Sequence, residues 1–215
     1  MVPLESLKPN PHIQTEIIQG DCLKELKLMF IDLFAGLGGF RIALDRQGYR
    51  CVFSSEIDEE CQKTYLENFG EKPNGDITLI NPFDVPDHDI LCAGFPCQPF
   101  SICGKQKGFL DTRGTLFFHI MEIVKAKNPK VIFLENVKHL KYHDKGRTLD
   151  VVIKSLESEH YYVSWKILNS IAYGLPQNRE RIIIIASQHK KFDFSRLKKG
   201  KKSVINDIID KEGKF

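Results

Sequence analysis

DLFAGLGGFR, at residues 32–41, is the stretch that decides the fold, because it joins a short apolar strand to a helix through a turn rich in glycine. Glycine lets the backbone approach a ligand closely, and the amino end of a helix attracts polar and anionic groups. Arg41 stands where a third glycine would complete the dinucleotide fingerprint G-x-G-x-x-G. The stretch therefore predicts a ligand-binding strand-turn-helix unit without the full dinucleotide signature.

Two acidic residues farther along the chain extend this interpretation. Glu56 follows the second apolar strand about 20 residues after Gly36, the separation at which a carboxylate reaches ribose hydroxyls. Asp76 stands where a third strand would end, and its carboxylate can accept from an adenine amino group. Together they indicate a cofactor that carries a nucleoside. The alternatives are a solvent-facing carboxylate at Glu56 and a turn-forming Gly75-Asp76 pair.

The rest of the chain alternates short β-rich runs with helical patterns, which is typical of βαβ units on a largely parallel sheet. The apolar runs predict strands at residues 28–33, 49–54, 89–92, 131–134, 161–168 and 181–186. Apolar periodicity predicts helices at residues 115–126 and 148–158, and a third that begins at the N-cap Asp58 and ends at Asn68. The last two strands adjoin with little helix between them, so we expect an antiparallel edge strand.

Length and composition favour one soluble domain. The chain has 215 residues, 42% hydrophobic residues and a net charge of +3, and no apolar run reaches the roughly 20 residues that span a bilayer. The six cysteines form no C-x-x-C pair, so we expect free thiols, no structural zinc and a cytoplasmic protein. The lysine-rich residues 198–202 indicate either a solvated surface or a site for a polyanion.

A second informative stretch is GFPCQPFS, at residues 94–101, directly after an apolar strand. Proline supplies no donor to a sheet and pushes the preceding residue toward extended geometry, so the strand should stop near Ala93. Cys97 would then stand on a loop at the carboxyl end of a strand, where open α/β sheets place their chemistry. We interpret Cys97 as a nucleophile, the alternative being a buried and inert cysteine.

These motifs together resemble the cytosine-C5 DNA methyltransferases, which use S-adenosyl-L-methionine. The glycine turn is similar to the cofactor motif of that family, and Pro96-Cys97-Gln98 is similar to its catalytic loop. Glu135-Asn136-Val137 is similar to its glutamate motif, and QNRER at residues 177–181 to its paired-arginine motif. The motifs run in the order of the family from about Phe30 to Ala186. The resemblance implies a Rossmann-like class I S-adenosylmethionine-dependent methyltransferase fold, mostly parallel, with double-stranded DNA as substrate in a restriction-modification system.

The resemblance also implies a set of site residues. The catalytic residues would be Cys97, Glu135, Arg179 and Arg181. The contacts to S-adenosyl-L-methionine, or to its product S-adenosyl-L-homocysteine, would come from Phe34, Ala35, Gly36, Leu37, Gly38, Gly39, Glu56, Ile57, Asp76, Ile77, Pro96 and Leu116. The contacts to DNA would come from Gln98, Ser101, Lys105, Gln106 and Arg113, on a loop that closes over a flipped base.

Chemistry assigns the roles within the catalytic set. C5 of cytosine is too weak a nucleophile to accept a methyl group until a thiolate has added to C6, which is the role of Cys97. Glu135, expected just after its strand, would neutralise the charge that develops at N3. Arg179 and Arg181 alternate along an extended segment, so we expect them to point to opposite faces and to play different roles. By resemblance, Arg181 contacts the cytosine carbonyl and Arg179 braces the catalytic loop.

The chain also departs from the family pattern, because it reaches Phe215 where a complete enzyme would begin its target-recognition domain. We expect an extension at residues 1–27, a catalytic and cofactor-binding domain at 28–190 and a basic lead-in to the recognition domain at 191–215. The chain would be a catalytic half that needs a separate recognition subunit, or a silent cofactor-binding remnant. A tRNA cytosine methyltransferase is a further alternative, although the Cys-Phe-Thr signature expected after the paired arginines is absent.

Overall fold

The computed structural model describes residues 27–96, 116–201 and 203–204, which form one twisted sheet with helices on its faces. The strands are β1 (Met29–Leu33), β2 (Arg50–Ser55), β3 (Ile90–Ala93), β4 (Val131–Val137), β5 (Tyr162–Asn169) and β6 (Glu180–Ser187). They lie in the order β2-β1-β3-β4-β6-β5. The first four are parallel, whereas β6 runs antiparallel to both β4 and β5. The expected antiparallel hairpin at one side of a mostly parallel sheet is confirmed.

Helices connect these strands. Within the described residues they are α1 (Gly39–Asp45), α2 (Glu59–Phe69), α3 (Leu116–Lys127) and α4 (Arg147–Ser158). Asp58 caps α2 as predicted, since its carboxylate accepts from the Cys61 backbone amide at 2.8 Å. Short 3-10 turns complete the connections at Ile77–Leu79, Pro82–Asp84, Lys138–Lys141, His143–Gly146, Ser170–Tyr173 and Phe194–Arg196. None of the helices in the described ranges is long and apolar enough to cross a membrane.

The main core lies on one face of the sheet, where alternate strand residues point toward α3 and α4. Ile132 and Leu134 of β4 are fully buried there, beside Ile182 and Ile184 of β6. The same alternation places Phe133 on the other face, where its ring meets the edge of Phe40 from α1 at 5.2 Å between centroids. Cys51, Cys61 and Cys92 are free thiols, as predicted for these three positions.

Two boundary expectations were wrong. No third strand ends at Asp76: the chain makes a single parallel bridge between Ser55 and Asn74, and Asp76 then caps a 3-10 turn by accepting from the Thr78 amide at 2.8 Å. Glu135 does not follow its strand but lies inside it, because β4 continues to pair with β6 as far as Val137 and Arg181. The domain limits expected from the sequence stay a prediction.

The connections leave a crevice at one edge of the sheet. The chain leaves β1 toward β2 on one side, whereas it leaves β3 toward β4 on the other, although β1 and β3 are neighbours. Such a switch point opens a crevice at the carboxyl ends of the strands, where open α/β sheets bind ligands. The glycine turn, Glu56, Pro96 and the end of β4 all reach this carboxyl edge.

Candidate active site

The turn after β1, residues 34–39, has a backbone that few sequences can adopt. Phe34, Gly36 and Gly38 have φ of 56°, 52° and 87°, and a bulky side chain such as that of Phe34 is rarely found in this region. A Cβ at Gly38 would come within 2.2 Å of the Phe69 ring, whereas a Cβ at Gly36 would meet nothing within 4 Å. Only glycine therefore fits at position 38 against the Phe69 ring. The backbone at Gly36, by contrast, faces open space.

Glu56 ties the turn to the end of β2. Its carboxylate accepts from the backbone amide of Gly36 at 2.8 Å and from that of Asp58 at 2.9 Å. A carboxylate has about four lone-pair positions, so the half-buried group keeps acceptor capacity for hydroxyl donors. Leu37 and Ile57 stand exposed on either side of it and offer apolar surface. This donor and acceptor set fits a ribose with an attached planar base, as expected for a nucleoside cofactor.

A buried polar group lies beneath the turn. The two carboxyl oxygens of Asp32 are buried and have no hydrogen-bond partner among the described residues. Burial raises the pKa of Asp32 to about 8, against the lowering effect of the nearby Arg41 charge. Arg41 is itself nearly buried and pairs with Asp45 at 2.6 Å and with Glu71 at 3.0 Å. At neutral pH the Asp32 carboxyl is therefore mostly protonated.

The other expected cofactor residues occupy the same edge with different degrees of exposure. Ala35 is buried, and its amide donates to the Ser55 carbonyl oxygen at 3.0 Å, which joins the turn to β2. Asp76 is half-buried and uses one carboxylate oxygen on Thr78, and Ile77 is buried beneath it. Pro96 is exposed after β3, and Leu116 opens α3 and packs against the core. Gly39 is the first residue of α1.

The segment just before Cys97 is anchored by a residue of β4. The Asn136 side chain is buried and donates to the Phe95 carbonyl oxygen at 2.8 Å, while its amide oxygen accepts from the Val137 backbone amide at 2.8 Å. Sequence reasoning placed Asn136 in a motif but assigned it no task. Cys97 and the expected DNA-binding residues Gln98, Ser101, Lys105, Gln106 and Arg113 lie outside the described residues.

Glu135, Arg179 and Arg181 form a charged cluster, which we call the arginine corner. Arg181 Nε lies 2.8 Å from Glu135 Oε1, and both side chains are about one quarter exposed, at 26% each. Arg179 Nη2 lies 4.0 Å from the same oxygen, and its side chain is 51% exposed. The expectation that the two arginines point to opposite faces was wrong, because residues two apart along an extended segment share a face, and both guanidinium groups approach Glu135 Oε1.

A network of polar turns braces Arg179. The Ser170 amide donates to the Arg179 carbonyl oxygen at 3.1 Å, and the Asn169 side chain donates to the Asn178 side-chain oxygen at 2.7 Å. On the other side, Lys138 Nζ lies 2.8 Å from Glu180 Oε2. The sequence signal for this bracing is a cluster of Asn and Ser at residues 169–170, which sequence reasoning did not use.

The glycine turn, the acidic residue after β2 and the inserted antiparallel strand are features of the Rossmann-like fold of S-adenosylmethionine-dependent methyltransferases. The family model described as C-5 cytosine-specific DNA methylase matches residues 28–214. The chain belongs to this family, which is a family of enzymes.

Curated relatives support the family assignment. The chain is 60% identical over 158 residues to the type II methyltransferase M.HhaI of Haemophilus parahaemolyticus. The aligned residues cover 74% of this chain and 48% of the relative. It is 49% identical over 195 residues to the type II methyltransferase M.DsaV of Dactylococcopsis salina. The aligned residues cover 88% of this chain and 55% of the relative. The chain thus spans about half the length of the curated relatives it matches.

Solved structures show the same fold. The Entamoeba histolytica methyltransferase EhMeth superposes with a TM-score of 0.66 at 24% identity, over 86% of this chain and 60% of that one. The S. pombe Dnmt2 methyltransferase superposes with a TM-score of 0.63 at 22% identity, over 78% of this chain and 52% of that one. At these identities the likeness concerns the fold alone.

Proposed function

We propose that this chain is the catalytic part of a DNA (cytosine-5-)-methyltransferase of a restriction-modification system. The observation that carries the proposal is the arginine corner, in which Arg181 holds Glu135 at 2.8 Å beside the segment that leads to Cys97. A carboxyl group fixed by a guanidinium at the carboxyl edge of the sheet can bind the polar edge of a pyrimidine. Membership of the C-5 cytosine-specific DNA methylase family supports the reaction.

The reaction begins with attack of the Cys97 thiolate on C6 of cytosine, which forms an Sγ–C6 bond and places charge on the ring. Glu135, entering this step as the carboxylic acid, donates its proton to N3 and accepts from the exocyclic amine through its other oxygen, so that the charge is neutralised as it develops; N3 returns the proton to Glu135 when the Sγ–C6 bond later breaks. Arg181 keeps Glu135 in place and donates to the cytosine carbonyl oxygen. After methyl transfer to C5, a base or water removes the C5 proton and the Sγ–C6 bond breaks, which releases Cys97.

S-adenosyl-L-methionine, when bound, supplies an electrophilic methyl group and leaves as S-adenosyl-L-homocysteine. Glu56 would accept from its ribose hydroxyls, and Ile57 and Leu37 would pack against the adenine and its surroundings. Asp76 would accept from the adenine amino group through the carboxylate oxygen that Thr78 leaves free. The open space at Gly36 lets the turn approach the cofactor closely. Phe34, Ala35, Gly38 and Gly39 shape the turn, and Ile77, Pro96 and Leu116 border it.

DNA enters as the substrate, and its target cytosine leaves the duplex because C5 and C6 are unreachable inside a base stack. Gln98, Ser101, Lys105, Gln106 and Arg113 would contact the DNA around the flipped base. Sequence is read by contacts to base edges in the grooves. We propose that this part of the recognition comes from polypeptide other than the residues of the catalytic edge, such as a separate target-recognition subunit.

The test is covalent trapping on duplexes that carry 5-fluorocytosine in many sequence contexts, with S-adenosyl-L-methionine present. Fluorine at C5 blocks proton removal, so the Sγ–C6 bond cannot be broken and the protein stays attached to DNA. We expect a denaturant-resistant adduct with the unmutated chain and none with Cys97→Ala. Binding of S-adenosyl-L-homocysteine is measured on both proteins, and we expect it to be equal.

Each other result has a distinct meaning. An adduct that survives in Cys97→Ala contradicts Cys97 as the nucleophile. The absence of any adduct from a chain that binds S-adenosyl-L-homocysteine contradicts independent activity and favours a remnant or a missing subunit. If neither binding nor an adduct is found, the methyltransferase proposal fails for this chain.

A further inference from the structure

Three lysines near the end of the described chain carry charge that the proposed reaction does not use. Lys198, Lys199 and Lys201, which we call the lysine strip, are exposed and form no ion pair with any described residue. From the sequence alone they indicate either a solvated surface or a polyanion site. The position of these lysines in the fold decides between a solvated surface and a polyanion site.

The strip is held rigidly by the glycine within it. The Gly200 amide donates to the Ala172 carbonyl oxygen at 3.0 Å, and the Ser203 hydroxyl donates to the Gly174 carbonyl oxygen at 2.6 Å. A Cβ at Gly200 would lie only 2.4 Å from the carbonyl carbon of Tyr173, so this close packing is open to glycine alone. The part of the lysine strip around Gly200 is therefore docked on the turn at residues 170–174, whereas Leu197, directly before the strip, lines a groove with Val131 and Ile185.

That turn belongs to the catalytic edge of the sheet. It follows directly on β5, which ends at Asn169, and its first amide, of Ser170, donates to the Arg179 carbonyl oxygen at 3.1 Å. One turn thus contacts the lysine strip on one side and the arginine corner on the other. The turn therefore places the strip at the carboxyl edge of the sheet, where the proposed reaction occurs.

The acidic groups of the arginine corner and its neighbour Glu180 are already paired with basic groups. Glu135 is already paired with Arg181, and Glu180 is already paired with Lys138. Neither carboxylate has a contact with the lysine strip, and Arg179 is half exposed and only 4.0 Å from its acidic neighbour. Ammonium groups that have no acidic partner among the described residues, held on the turn that also contacts Arg179, fit the phosphates of a nucleic-acid backbone.

We propose that the lysine strip binds backbone phosphates of the duplex that carries the target cytosine, and so positions DNA on the arginine corner. The proposal rests on the proposed function, because it takes DNA as the substrate. It assigns a task to residues 198–201, which the sequence left between a solvated surface and a binding site. Because phosphates carry no sequence information, the strip contributes affinity and orientation rather than target choice.

The chain supplies a matched control in Lys190 and Lys191. They follow β6, whose last residue Ser187 pairs with Val131 at the start of β4, so they lie at the opposite edge of the sheet. There they line a groove with Val131 and Ile185. They belong to the same basic segment and are also exposed, but they are a full strand length from the arginine corner.

The experiment measures binding of a fluorescent duplex of mixed sequence over a range of salt concentrations. For Lys198→Gln/Lys199→Gln/Lys201→Gln, we expect the slope of log K against log salt to fall by about two to three, at about 0.9 per phosphate contact. At moderate salt the affinity should fall about tenfold or more. Lys190→Gln/Lys191→Gln should change the slope by less than about 0.9, the change that the loss of one phosphate contact would cause.

Gly200→Ala gives a second test that changes no charge. The added methyl group must push the strip away from Tyr173, so affinity for the duplex should fall although every lysine remains. Gly75→Ala is its control, because a Cβ there would meet nothing within 4 Å. Unfolding is measured for both variants, and a Gly200→Ala protein that does not fold leaves the lysine variants to decide.

Several outcomes would overturn the proposal. One is an unchanged salt slope in the triple lysine variant, and another is an equal loss in the Lys190 and Lys191 variant. Tighter binding of an RNA duplex of the same length would overturn the assignment to DNA. An unmutated chain that binds no duplex overturns the strip as well, whereas the methyltransferase assignment is judged separately by S-adenosyl-L-homocysteine binding and by the 5-fluorocytosine adduct.

Discussion

The two halves of the carboxyl edge are built in different ways. The half around β1 and β2 holds its shape through backbone conformation and buried contacts, with Glu56 bonded to two amides and Gly38 packed against Phe69. The half around β4 and β6 holds its shape through charged side chains that remain partly in solvent, chiefly Glu135 and Arg181. The first half is fixed by buried contacts, whereas the second keeps its charged groups partly accessible to solvent.

The largest effect is expected from Gly38→Ala in the first half. The new Cβ would lie 2.2 Å from the Phe69 ring, and the backbone there has a φ of 87°. Strain and overpacking should together lower the free energy of unfolding by roughly 3 kcal/mol or more. The measurement is urea unfolding, together with binding of S-adenosyl-L-homocysteine, which we expect to be lost.

Gly39→Ala, one residue farther on, is the matched control for stability. Its Cβ would meet nothing within 4 Å, and alanine is the better helix former at the start of α1. We expect stability to be unchanged or to rise by up to about 1 kcal/mol. Equal losses in the two variants would show that the turn is not limited by the contact with Phe69.

A smaller effect is expected in the second half, where the two arginines can be compared directly. Arg181→Gln removes the 2.8 Å contact and leaves Glu135 without its closest cationic partner, so adduct formation should slow about 100- to 1,000-fold. Arg179→Gln removes a contact of 4.0 Å from a half-exposed side chain, and the rate should fall by about tenfold or less.

The rate of 5-fluorocytosine adduct formation at saturating S-adenosyl-L-methionine measures both effects. Stability should change by about 0–1 kcal/mol in Arg179→Gln, whose side chain is half exposed. In Arg181→Gln it should fall by about 1–3 kcal/mol, because the lost partner is largely buried. Equal slowing by the two substitutions would contradict the division of labour that the geometry indicates and would make the arginine corner a single electrostatic unit.

The same contrast explains how much of the molecule could be predicted from its sequence. The glycine turn, the N-cap Asp58 and the antiparallel hairpin of β5 and β6 follow from local patterns, because the residues that form each of them are close together in the chain. The second half of the edge depends on contacts between residues far apart, such as Asn136 with Phe95 and Gly200 with Ala172. The expectation of opposite faces for Arg179 and Arg181 failed because residues two apart along an extended segment share a face, so the alternation rule was misapplied there.

A further effect, expected from Asp32, takes the form of a pH dependence. Burial raises the pKa of its carboxyl from 3.8 to about 8, so the folded chain holds a proton between these values that the unfolded chain releases. Stability from this group is therefore fully present below about pH 4 and is lost as pH rises toward 8. Unmutated protein should lose about 2 kcal/mol between pH 6 and 8, and Asp32→Asn should flatten that part of the profile.

Urea unfolding at several pH values provides the test, with Asp84→Asn as the control because its carboxyl is exposed on a surface turn. The groups that surround Asp32 are Arg41 and Asp45 of α1, Tyr65 of α2, Cys51 of β2 and Cys92 of β3, with Glu56 beyond the end of β2. Burial raises the pKa of Tyr65 and of both thiols, so these groups stay neutral in the same window. A profile of the same slope in Asp32→Asn would show that another group causes the pH dependence. It would also contradict a protonated Asp32 carboxyl beneath the glycine turn.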